Sequence, residues 1–338
     1  MKHSNISIFI PHLGCPHACS FCNQKTISGA AKAPTADEVR SVLKKALHEV
    51  KDRKNTEIAF FGGSFTAIDR GYMLELLKTA NEFLGENGFY GIRISTRPDF
   101  IDNEVLNILK RYGVTAIELG AQSMCDEVLN ANERGHTSND VVNASKLIKE
   151  FDFELGLQMM TGLYMSTPER DLFTANEIIR LMPKTVRIYP VAVLNGTKLH
   201  SLYSDGKYKL IQFDEMISLC SKMLVMFKDS GIDVIRCGLH ASNDVKDNLV
   251  TGYYHPAFKE LCESKIYRDE IKRLINDKSE KSFGFSVNYK CISKALGQKR
   301  ENVKYFEKNG IYIRFIPDKN IPIYKLKLID TLMKGECL

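Results

Sequence analysis

Cys15, Cys19 and Cys22 lie within residues 14–23, which read Gly-Cys-Pro-His-Ala-Cys-Ser-Phe-Cys-Asn. Three thiolates at CxxxCxxC spacing on one tight loop can hold three corners of a four-iron cube. The fourth iron then has no protein ligand from the motif, and a small molecule's amine and carboxylate can chelate it. Phe21, just before the third cysteine, is placed to pack beside such a cluster. The rival chemistry is a tetrahedral zinc site completed by His12 or His17. Structural zinc sites usually pair two CxxC-type knuckles, and a second knuckle is missing here.

A loop of this kind needs a strand to launch it. Apolar β-type runs at 6–10, 57–61, 91–96, 114–119, 154–159, 186–189 and 233–236 alternate with stretches of helical period at 36–51, 72–84, 103–111, 139–150, 169–181 and 213–230. Helix-start residues stand where they should, at Thr35, Asp102, Ser138 and Thr167. Such alternation predicts βαβ units, a parallel sheet, and a site at the carboxyl ends of its strands. The cysteine loop follows the first strand. Gly62-Gly63-Ser64 follows the second, and paired glycines let backbone approach a ligand closely. Ser95-Thr96-Arg97 ends the third, Gly120-Ala121-Gln122 the fourth and Gln158-Met159-Met160 the fifth. Arg134 follows twelve residues after Gln122, with His136 beside it as a structural loop histidine.

Composition sets outer limits. The 338 residues are 44% hydrophobic and 26% charged, ordinary for a globular chain. No run approaches the roughly 20 apolar residues of a membrane span. The first apolar run is too short for a signal peptide, so a cytoplasmic location is expected. Nine cysteines, only three of them clustered, suit metal or redox chemistry in a reducing compartment. Net charge is +6, yet residues 281–338 hold 12 Lys+Arg against 5 Asp+Glu, leaving 35 against 36 in the remainder. That bias suits an anionic partner at the C-terminal end, nucleic acid being the usual one.

Together these motifs resemble the radical S-adenosylmethionine (SAM) superfamily, and in it the Elongator catalytic-subunit type. The resemblance covers roughly residues 5–245. It implies a partial (β/α)6 TIM-like barrel over 1–245, a [4Fe–4S] cluster on Cys15, Cys19 and Cys22, and SAM bound at the strand ends. Gly62 and Gly63 would then meet the methionyl amine, with Ser64 where many relatives carry an acid. Ser95 falls in the ribose region where glutamate is usual, Gln122 and Arg134 approach the SAM carboxylate, and Gln158 replaces a common aspartate. A reductant such as flavodoxin or ferredoxin is implied as well.

Residues 246–338 are expected to form a small α+β appendage. Its strand–helix–Gly297-Gln298-Lys299-Arg300–helix–strand pattern is similar to a KH-type RNA-binding unit, with Lys290, Lys294 and Lys304 near the turn. The rival reading is a helical cap. Elongator catalytic subunits carry an acetyltransferase domain for which this chain has no room, so their reaction does not transfer directly. Three functions follow: a radical SAM enzyme modifying RNA, with tRNA foremost; one acting on a small molecule or peptide; or a zinc-dependent nucleic-acid-binding protein without catalysis.

Overall fold

The computed structural model describes residues 4–11, 19–23, 32–240 and 243–329. Two compact units emerge, Met1–Leu210 with Ile232–Tyr254, and Ile211–Gly231 with His255–Leu338.

The strands β1 (Ser4–Ile10), β2 (Thr56–Gly62), β3 (Gly91–Thr96), β4 (Val114–Gln122), β5 (Glu154–Thr161) and β6 (Thr185–Pro190) lie side by side in chain order. A short β7 (Ala192–Leu194) leaves the row, and β8 (Asp233–Cys237) completes it beside β6. All six pairings are parallel. β1 and β8 are the edges of a curled, open half-barrel, as the sequence predicts. β7 pairs antiparallel with β9 (Leu249–Gly252).

Period-two alternation gives the sheet two unlike faces. Ile58, Phe60, Ile92, Ile94, Ile117, Leu119, Leu155, Leu157, Val186 and Ile188 are buried on one face. Helical residues such as Leu43, Leu76, Leu106, Val141 and Ile178 are buried with them. The opposite face carries Glu57, Arg93, Glu118 and Arg187, where a parallel sheet is usually apolar on both sides. Helix starts follow the sequence at Thr35, Asp102 and Thr167, whose side chains accept from Glu38, Val105 and Arg170 backbone amides. One cap differs from expectation. Thr137 Oγ1, not Ser138, accepts from Asp140 N, because Asp140 returns a bond to Thr137 N and closes a capping box.

In the second unit, the helix Phe213–Asp229 packs on the helix Phe258–Ile275. Ser221 Oγ donates to Cys262 O at 2.9 Å, and the Phe213 and Phe258 rings meet edge-on at 5.9 Å. Residues 211–231 therefore group with the C-terminal residues, which differs from a single division at 245/246. The strand β10 (Ser282–Val287) runs parallel to β11 (Tyr312–Pro317) and antiparallel to β12 (Leu326–Ile329). Helices Ile292–Leu296 and Glu301–Lys308 join β10 to β11. Among the described residues no helix is long and apolar enough to cross a membrane.

Candidate active site

The cysteine loop is held from outside itself. Cys19 and Cys22 close a turn in which Cys22 N donates to Cys19 O at 3.0 Å. Between them, Ser20 is clamped by Asn132: Ser20 N donates to Asn132 O at 3.1 Å and Ser20 Oγ to Asn132 Oδ1 at 2.7 Å. Leu199 N donates to Ser20 O at 2.8 Å. Cys19, Ser20 and Phe21 are buried, and Cys22 is half-buried. Cys15 lies outside the described residues, as do His12 and His17 of the zinc alternative.

Gly62 has φ +115°, and a Cβ there would stand 2.2 Å from Ile10 O, so only glycine fits where β2 ends against β1. Gly63 N donates to Ile10 O at 2.9 Å. The glycine pair thus lies against the end of the strand that leads into the cysteine loop. Ser64 does structural duty: its Oγ shares a hydrogen bond with Thr96 Oγ1 at 2.8 Å and accepts from Arg97 N at 3.1 Å. It ties the end of β2 to the end of β3. Ser95 is half-buried in register with Glu118.

At the end of β4 the pairing with β5 slips between Gly120 and Gln122, and Gln122 takes φ +63°. Such a bulge re-aims the side chain it carries, here beside Gln158 of β5. Gln122 Oε1 accepts from Gln158 Nε2 at 3.2 Å, so the two expected SAM contacts hold each other. Arg134 stands between two positive-φ residues, Glu133 (55°) and Gly135 (70°). Its Nη1 donates to Cys19 Sγ at 3.1 Å and its Nη2 to Gly120 O at 2.8 Å. Arg97 is buried and gripped bidentately by Asp99 at 2.9 and 2.8 Å. His136 Nε2 lies 3.3 Å from Ala121 O. Burial, then the Arg134 and Arg97 charges, pull this imidazole down to about 4 and leave it neutral at pH 7.

Among the described residues, three buried nitrogens at these strand ends find no hydrogen-bond partner: Arg97 Nη1, Arg134 Nε and His136 Nδ1. Unpaired buried polar atoms are costly, and polar atoms collected where Arg134 meets the Cys19 thiol fit a site that a polar ligand completes. Sulfur donors, a glycine cradle and a guanidinium suit an iron–sulfur cluster and an amino-acid carboxylate.

Below this edge runs a network that the sequence reading missed. Arg93 Nε bonds Glu57 at 2.6 Å, Nη2 bonds Glu154 at 2.7 Å, and Nη1 lies 3.4 Å from Glu118. Glu118 also takes two bonds from Arg187, at 2.5 and 2.9 Å. Ion pairs therefore cross five adjacent strands on the polar face. The signal was a charge inside each apolar run, at Glu57, Arg93, Glu118 and Arg187.

Residues 9–176 match the model of the radical SAM superfamily, and residues 183–268 that of the radical SAM C-terminal domain. The chain belongs to the radical SAM superfamily of enzymes. An uncharacterised protein of Methanocaldococcus jannaschii is 30% identical over 228 residues, 66% of this chain and 67% of the relative. A tRNA uridine(34) acetyltransferase of Methanocaldococcus infernus is 34% identical over 185 residues, 49% of this chain and 35% of the relative. The chain spans about a third to a half of the length of the tRNA acetyltransferases it matches. The solved structure of Methanocaldococcus infernus Elp3 with an N-terminal deletion shares the fold, with TM-score 0.61 and 20% identity over 80% of this chain and 64% of that one.

Proposed function

We propose that this enzyme holds a [4Fe–4S] cluster on Cys15, Cys19 and Cys22, binds SAM across the strand ends, and modifies RNA, tRNA foremost. The observation that carries the reading is Arg134, which joins a cluster-loop sulfur to the β4 backbone and, among the described residues, has a buried N–H without a partner. A cluster held there would supply the electron for reductive cleavage of the SAM sulfonium, with methionine and a 5′-deoxyadenosyl radical as the products. The residues do the rest. Gly62 and Gly63 let backbone close on the methionyl amine, Arg134 faces the carboxylate, and the Gln122–Gln158 pair offers amide hydrogen bonds along the strand ends. Buried Phe21 and the ion-paired floor keep water from the reacting centre.

The RNA part rests on the relatives' printed activity and on the second unit. Its turn between the two short helices holds Gly297, Lys299 and Arg300 at positive φ, and Gln298, Lys299 and Arg300 are exposed. Lys290 and Lys304 are exposed too, whereas Lys294 is spent on buried Glu263 at 2.9 Å. Those exposed cations suit a phosphate backbone.

The test is anaerobic reconstitution with iron and sulfide, then SAM and dithionite with and without cellular RNA, read by 5′-deoxyadenosine and nucleoside mass spectrometry. A brown protein that makes 5′-deoxyadenosine, and loses it on replacing Cys15, Cys19 or Cys22 by Ala, is expected. A colourless zinc protein refutes the cluster. SAM cleavage that leaves every RNA nucleoside unchanged, with tRNA binding indifferent to salt and to Lys299→Glu with Arg300→Glu, refutes the RNA substrate.

A further inference from the structure

Resting on the cluster assignment proposed above, we infer that Arg134 sets the reduction potential of the cluster through an N–H···S bond to the ligand sulfur of Cys19. The contact is built. Arg134 N is held by Leu129 O at 3.1 Å, and the positive φ of Glu133 and Gly135 turns the residue back toward the strand ends. Its guanidinium fork is then fixed at both tines, Nη1 on Cys19 Sγ at 3.1 Å and Nη2 on Gly120 O at 2.8 Å. A side chain at Gly120 would crowd that fork, since a Cβ there would stand 3.0 Å from Gln122 Nε2 and 3.5 Å from Arg134 Nη2. The sulfur is equally fixed, because the Ser20–Asn132 clamp holds the next residue of the loop to the same turn that carries Arg134.

Both partners are buried, so solvent screens little of the interaction. Guanidinium is a permanent cation at any working pH. Reduction brings one electron from an external donor into the cluster and makes it more negative. A cation hydrogen-bonded to a ligand sulfur stabilises that reduced state, so Arg134 raises the potential and its removal lowers it. Lysine keeps the charge but cannot hold sulfur and carbonyl as a planar fork.

The experiment is a dithionite titration of the full-length, anaerobically reconstituted protein, followed by electron paramagnetic resonance. SAM is left out, so that a carboxylate contact of Arg134 cannot account for any shift. Arg134→Gln is expected to disfavour reduction about tenfold, a midpoint lower by about 59 mV for a one-electron couple. Arg134→Lys is expected between that value and wild type, and it carries the test alone if Arg134→Gln holds no cluster. A midpoint equal to or above wild type in the variant read overturns the inference while the cluster assignment stands. Wild-type protein that takes up no iron–sulfur cluster overturns both.

Discussion

Glu118 is the residue whose loss the fold should feel most sharply. It is 3% exposed and receives two hydrogen bonds from Arg187 and a longer one from Arg93. Glu118→Gln keeps the shape and removes the charge. Arg93 retains Glu57 and Glu154, but Arg187 is left without the carboxylate that balances it. Burial by itself pulls the Arg187 guanidinium down, and the Glu118 charge and hydrogen bonds hold it above its ordinary value instead. Breaking one side of a buried pair costs about 3–5 kcal/mol, and the retained amide oxygen places this change near about 3. For a chain of 338 residues that is roughly 4 °C in Tm. Urea and thermal denaturation of the apoprotein at neutral pH, followed by circular dichroism, read it directly. Glu118→Leu combined with Arg187→Met removes both charges and should lie within about 1 kcal/mol of wild type. A loss under about 1 kcal/mol in Glu118→Gln, as for a solvated surface pair, would refute the reasoning.

Gly62→Ala should cost about 1–3 kcal/mol by urea titration, because φ +115° and Ile10 O both oppose a Cβ; an unchanged midpoint contradicts the close approach. Asn132→Ala strips partners from Ser20 Oγ and from the Val128 and Tyr164 carbonyls, and should cost about 2–4 kcal/mol and lower iron content after reconstitution. Full iron content in that variant would show that the clamp does not order the cysteine loop. Burial pushes the Asp171 carboxyl up to about 7, against donors from Ser166 Oγ and Gly162 N. The folded chain then keeps a proton that the unfolded chain has lost, so this group's contribution to stability falls as pH rises from about 4 to about 7. His136, depressed to about 4, runs the other way, its contribution being lost as pH falls below about 6.5. Asp171→Asn should therefore leave stability rising with pH across that window more steeply than in wild type; parallel curves would contradict it.

The half-barrel was legible because each strand repeats the same arithmetic, apolar residues on alternate positions bounded by turn residues and helix caps. The strand-end site was legible because βαβ topology gathers those ends on one edge whatever the helices do. What sequence could not give were partners distant along the chain. Ser64 reads from the sequence as a position beside a ligand, and its hydroxyl also ties the ends of two strands together. Gln122 and Gln158 looked like separate contacts, and one holds the other. Arg134 was legible as a cation near a carboxylate, while its sulfur partner lies 115 residues away. Short elements escaped for another reason: the six residues of Asp126–Ala131 and the four of β12 are too few to establish a period.

The second unit is assembled from two stretches of chain, and this dictates an order of events during synthesis. The helix Phe213–Asp229 leaves the ribosome with Met216, Leu219, Met223, Leu224 and Phe227 among the side chains it will bury. Its packing partner begins only at Phe258, after β8 and β9 have been made. In the interval that apolar ridge waits on the nascent chain for the helix that will cover it. Any shortened gene that stops before residue 258 would leave that ridge bare for good.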